Sequence, residues 1–207
     1  MNSDQVLEIR RGGDFPRPLI LRVYNPPMTT TPQRIHVIGT SGSGKTTFAG
    51  RVAERSEIPH VELDALHWGL NWTEPAVNEF REKVAAALDG DTWAVDGNYS
   101  KVRDIIWERA DTVVWLDYPF TVVMARVIWR TFKRGLTGEE LWNENRERLL
   151  GNLFSKDSII RWSLTTYYRR KKEYPELFKQ PEYGHINFMR LGSSGEGRGW
   201  VRGLRKP

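Results

Sequence analysis

The chain has 207 residues, a formal net charge of +5, 39% hydrophobic and 28% charged residues, and no cysteine. That length suits one α/β domain with a sizeable core, and the charge balance suits a globular protein with anionic partners such as nucleotides or nucleic acids. The missing cysteines exclude a disulfide framework, a thiolate metal centre and a Cys nucleophile. No apolar run approaches the roughly 18 residues of a membrane span. Asp4, Glu8 and Asp14 stand where a secretory signal needs a basic start and an apolar stretch. A cytoplasmic protein with no membrane partner is expected.

Residues 1–33 differ from the rest, with Pro16, Pro18, Pro26, Pro27 and Pro32, the pair Gly12-Gly13, and a Thr29-Thr30-Thr31 run. They read as a flexible N-terminal extension in which 19–24 is the only strand-like piece. A single domain is expected over 34–207. Residues 34–38 (RIHVI) form a first strand before a glycine-rich loop, and 45–55 a helix. A second strand covers 60–63, and a helix covers 74–88 with Val77, Phe80, Val84 and Ala87 on one face. The third strand is 93–95 and the fourth 112–116. Pro119 opens a helix at its first position. A long basic helical region follows to about residue 172, of which about 131–172 reads as a helical, basic lid insert. The fifth strand is 186–191. The Gly- and Arg-rich tail brackets Trp200-Val201, which can dock on the domain. This alternation predicts a three-layer α/β fold with a five-stranded parallel sheet and ligands beyond the carboxyl ends of its strands.

Residues 39–47, GTSGSGKTT, fit G-x-x-x-x-G-K-[ST] through Gly39, Gly44, Lys45 and Thr46. A strand before and a helix after are the context this P-loop requires. The glycines permit a tight turn that brings helix-start N–H groups onto phosphates. Ser41, Gly42, Ser43 and Thr47 complete the expected ATP-binding cradle. Lys45 adds charge towards the β/γ oxygens, and the Thr46 hydroxyl can ligate Mg²⁺. No N-K-x-D guanine motif and no L-S-G-G-Q-like stretch occur, which argues against a GTPase and a transporter ATPase.

The segments WAVDGNYSKVR (93–103) and ADTVVWLDYPFTVVMARVIWR (110–130) resemble the nucleoside-monophosphate kinase-like branch of P-loop proteins, which includes adenylate, shikimate and gluconate kinases. VELDALHW (61–68), DGNYSKVR (96–103) and NENRERLLGN (143–152) also resemble small kinase-like proteins often labelled adenylate kinase or DNA topology modulation protein. The resemblance spans about residues 34–191. It implies a P-loop NTPase fold, ATP as cofactor, and Asp96 in the Mg²⁺ shell at the D-G that closes the third strand. It further implies that Arg126 flanks the adenine and that Arg130 reaches the phosphates. Adenylate kinases continue D-G with F-P-R, whereas this chain has Asn98-Tyr99-Ser100. The arginine that grips an acceptor phosphate is thus missing from its usual place, and Arg103 is the candidate substitute.

Asp64, across the loop from the phosphates, is a candidate base for an acceptor hydroxyl; its plainer role is to cap a turn. Trp68 can stack on an acceptor ring or serve the core, and His67 reads as structural. Gly97 and Asn98 complete the expected acceptor site. Arg134 continues the Arg126/Arg130 stripe and Arg146 follows it, either at the phosphates and acceptor or as a solvated basic face. Asp117 reads as a helix-start residue. The run Arg169-Arg170-Lys171-Lys172 reads as surface or a nucleic-acid patch. The expected function is ATP-dependent phosphoryl transfer to an unidentified small acceptor bearing a hydroxyl or phosphate. The alternative is an ATP-binding regulatory or DNA-associated module with no small-molecule acceptor, although no helix-turn-helix signature is present.

Overall fold

A computed structural model describes residues 32–137 and 159–204. Five strands, β1 (Arg34–Gly39), β2 (His60–Glu62), β3 (Trp93–Asp96), β4 (Thr112–Leu116) and β5 (Asn187–Leu191), form one parallel sheet in the order β2-β3-β1-β4-β5. The helices are α1 (Lys45–Ser56), α2 (Leu63–His67), α3 (Val77–Ala87), α4 (Arg103–Arg109), α5 (Phe120–Thr137), α6 (Ile159–Leu177) and α7 (Ser194–Gly203). The second strand is shorter than expected, because Leu63 turns into α2. Apart from residues 32 and 33, the expected N-terminal extension lies outside the described residues.

Alternation along each strand splits the core in two. Ile35 and Val37 of β1, Ala94 of β3, and Val114 and Leu116 of β4 face one layer, formed with Phe48 and Val52 of α1 and Val123 and Val127 of α5. Ile38, Val95, Val113 and Trp115 face the other, with Leu63 of α2, Phe80 and Val84 of α3, and Ile106 and Trp107 of α4. The helix α6 joins both layers, since Tyr167 packs in the first and Tyr174 in the second. It therefore crosses the sheet at the end where β1 delivers the glycine loop.

Two further features set that end of the sheet. His36, buried in β1, donates from Nε2 to the Gly97 carbonyl at 3.0 Å and accepts the Trp107 indole N–H on Nδ1 at 2.9 Å. Burial lowers its pKa to about 4, so the ring is a neutral tie between β1, β3 and α4. The tail forms α7, where Ser193 accepts from the Glu196 amide and the Glu196 carboxylate accepts from Gly192 N, a capping box. Trp200 then stacks on Phe48 with ring centroids 5.8 Å apart, so the tail docks on α1.

Candidate active site

β1 ends at Gly39 and α1 starts at Lys45, so residues 40–44 make the turn between them. Ser43 N donates to Thr40 O at 3.0 Å within it. Gly44 caps α1 in the left-handed region, φ 87°, where other residues are strained. At Gly42 (φ 83°) a Cβ would overlap Val127 Cγ2, so α5 lies directly against the loop. Such a bare helix start presents N–H groups and partial positive charge to an anion.

The charged groups converge on this start. Thr46 Oγ1 donates to Asp96 Oδ2 at 2.8 Å, and His60 Nε2 lies 2.9 Å from Asp96 Oδ1. That hydrogen bond is the main reason the His60 pKa is raised. A hydroxyl and a carboxylate side by side are hard oxygen donors of the kind Mg²⁺ takes, with phosphates and water completing its octahedron. Among the described residues there is no group of three or more His, Cys, Asp or Glu that could hold a metal ion. Burial pushes the Lys45 ammonium down to about 8, with Arg170 and Arg130 adding to the shift and Asp64 and Asp96 opposing it. Cations so crowded favour an anion among them.

Arg130 Nη2 donates to Ser41 Oγ at 3.1 Å, and Arg126 Nη1 to the Ser43 carbonyl at 3.1 Å. Both members of the arginine pair thus reach the loop. Arg134 lies on α5, but its side chain is outside the described residues, as is Arg146 altogether. The basic run on α6 is not uniform surface. Arg169 and Lys172 are exposed, whereas Arg170 is buried and directs Nη1 to the Gly39 carbonyl at a long 3.5 Å. Lys171 pairs with buried Asp117 at 3.6 Å, and Arg190 forms a close ion pair with the same carboxylate. Asp117 therefore anchors β5 and α6 in place of a helix cap. Four consecutive residues at 100° steps cannot all face solvent. The flanking Tyr167 and Tyr174, three before and four after Arg170, are the signal that marks its face as inward.

On the other side of Lys45, Asp64 sits in the first turn of α2 and accepts the Tyr99 hydroxyl at 2.6 Å. It is not the N-cap of α2, which is Glu62. Burial first, then the charge of Asp64, raises the Tyr99 pKa and keeps the phenol a donor. Tyr99 also packs against His67 and Phe80, at 4.5 and 5.2 Å between centroids. His67 is buried there, and burial is the first cause of its lowered pKa. Trp68 meets His67 and Trp72 edge-on at 4.7 and 5.5 Å. The Asn98 amide brackets Gly39, accepting from its N–H at 3.1 Å and donating to its carbonyl at 2.5 Å, and also accepts the Tyr174 hydroxyl at 3.1 Å. Gly97 lets α2 pack close, since a Cβ there would stand 2.7 Å from that of Leu63. Arg103 pairs with Glu173 at 3.1 Å and lies over the Trp107 ring. Sequence reasoning passes over Tyr99 and Tyr118 and reads Arg170 as surface or a nucleic-acid patch, whereas Arg170 is buried.

A cleft of about 570 Å³ opens beside the loop, lined by Ser43, Gly44, Thr47, Tyr118, Arg126 and Ser194 among others. Arg126 lies over the Tyr118 ring at 5.2 Å and donates to Ser194 Oγ at 2.7 Å, so it forms one wall. Among the described residues no helix is long and apolar enough to cross a membrane.

No family model and no curated protein sequence matches the chain. Solved structures are similar in fold. A shikimate kinase from Acinetobacter baumannii in complex with shikimate is 17% identical, covering 85% of this chain and 92% of its own, with a TM-score of 0.49. A gluconokinase from Sinorhizobium meliloti is 20% identical, covering 83% and 89%, with a TM-score of 0.47. A sugar kinase from a Janibacter species is 19% identical, covering 82% and 90%, with a TM-score of 0.45. At such distances the site stands on this chain's own residues, and the chain is similar in fold to structures of a sugar kinase, a gluconokinase and a shikimate kinase.

Proposed function

We propose that the chain is an ATP-dependent phosphotransferase that moves the γ-phosphoryl group to a small acceptor. The observation that carries this reading is the placement of a second carboxylate, Asp64, close enough to Lys45 to raise its proton affinity alongside Asp96. Holding a nucleotide needs only the Asp96 side, with its Thr46 hydroxyl 2.8 Å away. A carboxylate on the far side of the phosphates serves an incoming nucleophile.

The roles follow from position. The start of α1 and Lys45 bind the β- and γ-phosphates, and Arg130 and Arg170 add charge where the transferring group spreads its own. Thr46 and Asp96 would hold Mg²⁺, which when bound neutralises β/γ-phosphate charge. Arg126 and Tyr118 flank the nucleoside. Tyr99 holds one oxygen of Asp64, leaving the other to take the proton of an acceptor hydroxyl as that oxygen bonds to the γ-phosphorus. The bond from phosphorus to the β,γ-bridging oxygen breaks and ADP leaves. Two features favour a hydroxyl acceptor over a nucleoside monophosphate. Asn98 is committed to Gly39 on both faces of its amide, and Arg103 is drawn towards Glu173, so neither side chain is aimed at an acceptor phosphate.

The test is a thermal-shift screen of sugars, other polyols and nucleoside monophosphates with an ATP analogue present, followed by Asp64→Asn. A true acceptor stabilises only with nucleotide bound. With that acceptor, Asp64→Asn should cut transfer roughly 10²–10⁴-fold, the worth of a general base, while ATP affinity holds. Full transfer in the variant would remove Asp64 from the chemistry.

A further inference from the structure

The cleft beside the loop is more basic than a nucleoside requires. Besides Arg126 it is lined by Arg51 of α1 and by Arg198 and Arg202 of α7, and no Asp or Glu lines it. Arg126 is committed to Ser43 and Ser194. Arg51, Arg198 and Arg202 are exposed and make no hydrogen bond or ion pair among the described residues. The nearest carboxylate on α7, Glu196, is turned to Gly192 N at 2.9 Å and to the Ser193 hydroxyl at 3.2 Å. It acts on Tyr118 from there and offsets part of the positive charge, leaving the arginines in excess. A base and a ribose carry no charge, and the phosphates of ATP belong to the loop, so these three guanidinium groups have no task in binding ATP.

Their placement is fixed by packing. Arg198 and Arg202 stand one turn apart on α7 and share a face. Trp200 stacks on Phe48, and a Cβ at Gly197 would be 3.2 Å from both Phe48 and the Tyr118 hydroxyl. Close contact with α1 and Tyr118 thus sets the rotation of α7. Arg51 lies one turn of α1 beyond Thr47. The rim therefore stands beside the nucleoside and one helical turn away from the phosphate loop. Arginine forks are suited to a phosphate monoester, which offers about two charges and three acceptor oxygens.

We propose that this cleft binds a nucleotide carrying an additional phosphate on its ribose, at the 2′ or 3′ oxygen, held by Arg51, Arg198 and Arg202. The inference rests on the nucleotide reading of the P-loop. The test is calorimetric titration of the full chain with Mg·ADP and with its 2′- and 3′-phosphorylated forms at about 0.15 M salt. One of the phosphorylated forms should bind at least about tenfold tighter than ADP, a difference an added charge-assisted pair can supply. In Arg198→Gln/Arg202→Gln that advantage should fall below about twofold, with ADP affinity and melting temperature unchanged. If ADP binds and neither added phosphate tightens it, the inference fails while the nucleotide reading stands. An advantage that survives in the double variant also overturns it. A short single-stranded oligonucleotide that outcompetes both phosphorylated forms at the same salt would overturn it in favour of a nucleic-acid backbone. No binding of ADP would remove both readings.

Discussion

The phosphate half of the proposed site draws on residues 39–47 and closes through short contacts, Thr46 to Asp96, Asn98 to Gly39 and Arg130 to Ser41. The half proposed to take the acceptor is assembled from separate segments, Asp64 and His67 on α2, Trp72 after it, Phe80 on α3 and Tyr99 after β3. In the first, backbone N–H groups would do the recognition, so the loop conformation itself is what a ligand would read. In the second, any recognition would lie in side chains, and two of them, Phe80 and His67, also serve the core. One half therefore states its ligand as a motif, and the other states its own only through the shape it leaves.

The largest expected effect breaks the phosphate half. Lys45→Ala should lower turnover roughly 10³-fold or more, the scale of a lost cation at a transferring phosphoryl group, and should weaken ATP binding as well. Titration calorimetry and a coupled ADP assay measure the two. Wild-type turnover in the variant would place the chemistry elsewhere.

A smaller effect comes from the charge on the same residue. Lys45 titrates near 8, below its ordinary 10.5. Anionic phosphates beside it stabilise the ammonium, so nucleotide binding should take up a proton between pH 8 and the higher value reached in the complex. ATP affinity should be level below about pH 8 and fall up to tenfold per pH unit above it. Calorimetry in buffers of different ionisation enthalpy reads the proton directly. Arg170→Met removes the largest neighbouring charge that depresses Lys45, and should shrink both the uptake and the slope. A slope unchanged in Lys45→Ala would assign the proton to another group. The same shift acts on folding. The folded chain binds fewer protons than the unfolded one between about pH 8 and 10.5, so the penalty for a charged Lys45 is present below pH 8 and lifted as pH rises through that window.

Much of this architecture is legible in the residues. The five strands follow from short β-rich runs, and the P-loop from a motif whose spacing is dictated by phosphate geometry. Asp96 and the Arg126/Arg130 pair come from family resemblance, and the structure brings all three to the loop. Two kinds of information are not local. α6 looks basic throughout, because a count of charges does not say which face of a helix is inward; only Tyr167 and Tyr174 around Arg170 do. The helix α7 hides behind four glycines, at 195, 197, 199 and 203, which depress helix propensity. Its capping box, Ser193 to Glu196, carries the opposite signal, and Trp200 on Phe48 provides the tertiary contact that decides between them. Asp64 is on the page of the sequence, but its partner Tyr99 is far along the chain and reaches it only once β2 and β3 pair.

The finest test concerns that pair. Tyr99 donates one hydrogen bond to Asp64 at 2.6 Å while its ring fills the wall between His67 and Phe80. Tyr99→Phe keeps the ring and removes the hydroxyl, with its bond to Asp64 and the bond it shares with the Trp68 side chain. If the bond to Asp64 aims the carboxylate at the acceptor, its loss should cost about 1.5 kcal/mol at the transition state, the lower end for a bond to a charged group, or about tenfold in kcat. The KM for ATP should not move, because the phosphate half is untouched. A merely structural hydroxyl behaves differently: it would lower the melting temperature and leave kcat alone. Tyr99→Leu supplies the contrast, since losing the ring opens the wall against His67 and Phe80 and should raise the acceptor KM as well as lower kcat. Equal kinetics for Tyr99→Phe and the native chain would mean that Asp64 is held by its place in α2, and that the acceptor half owes its aim to the backbone as fully as the phosphate half does.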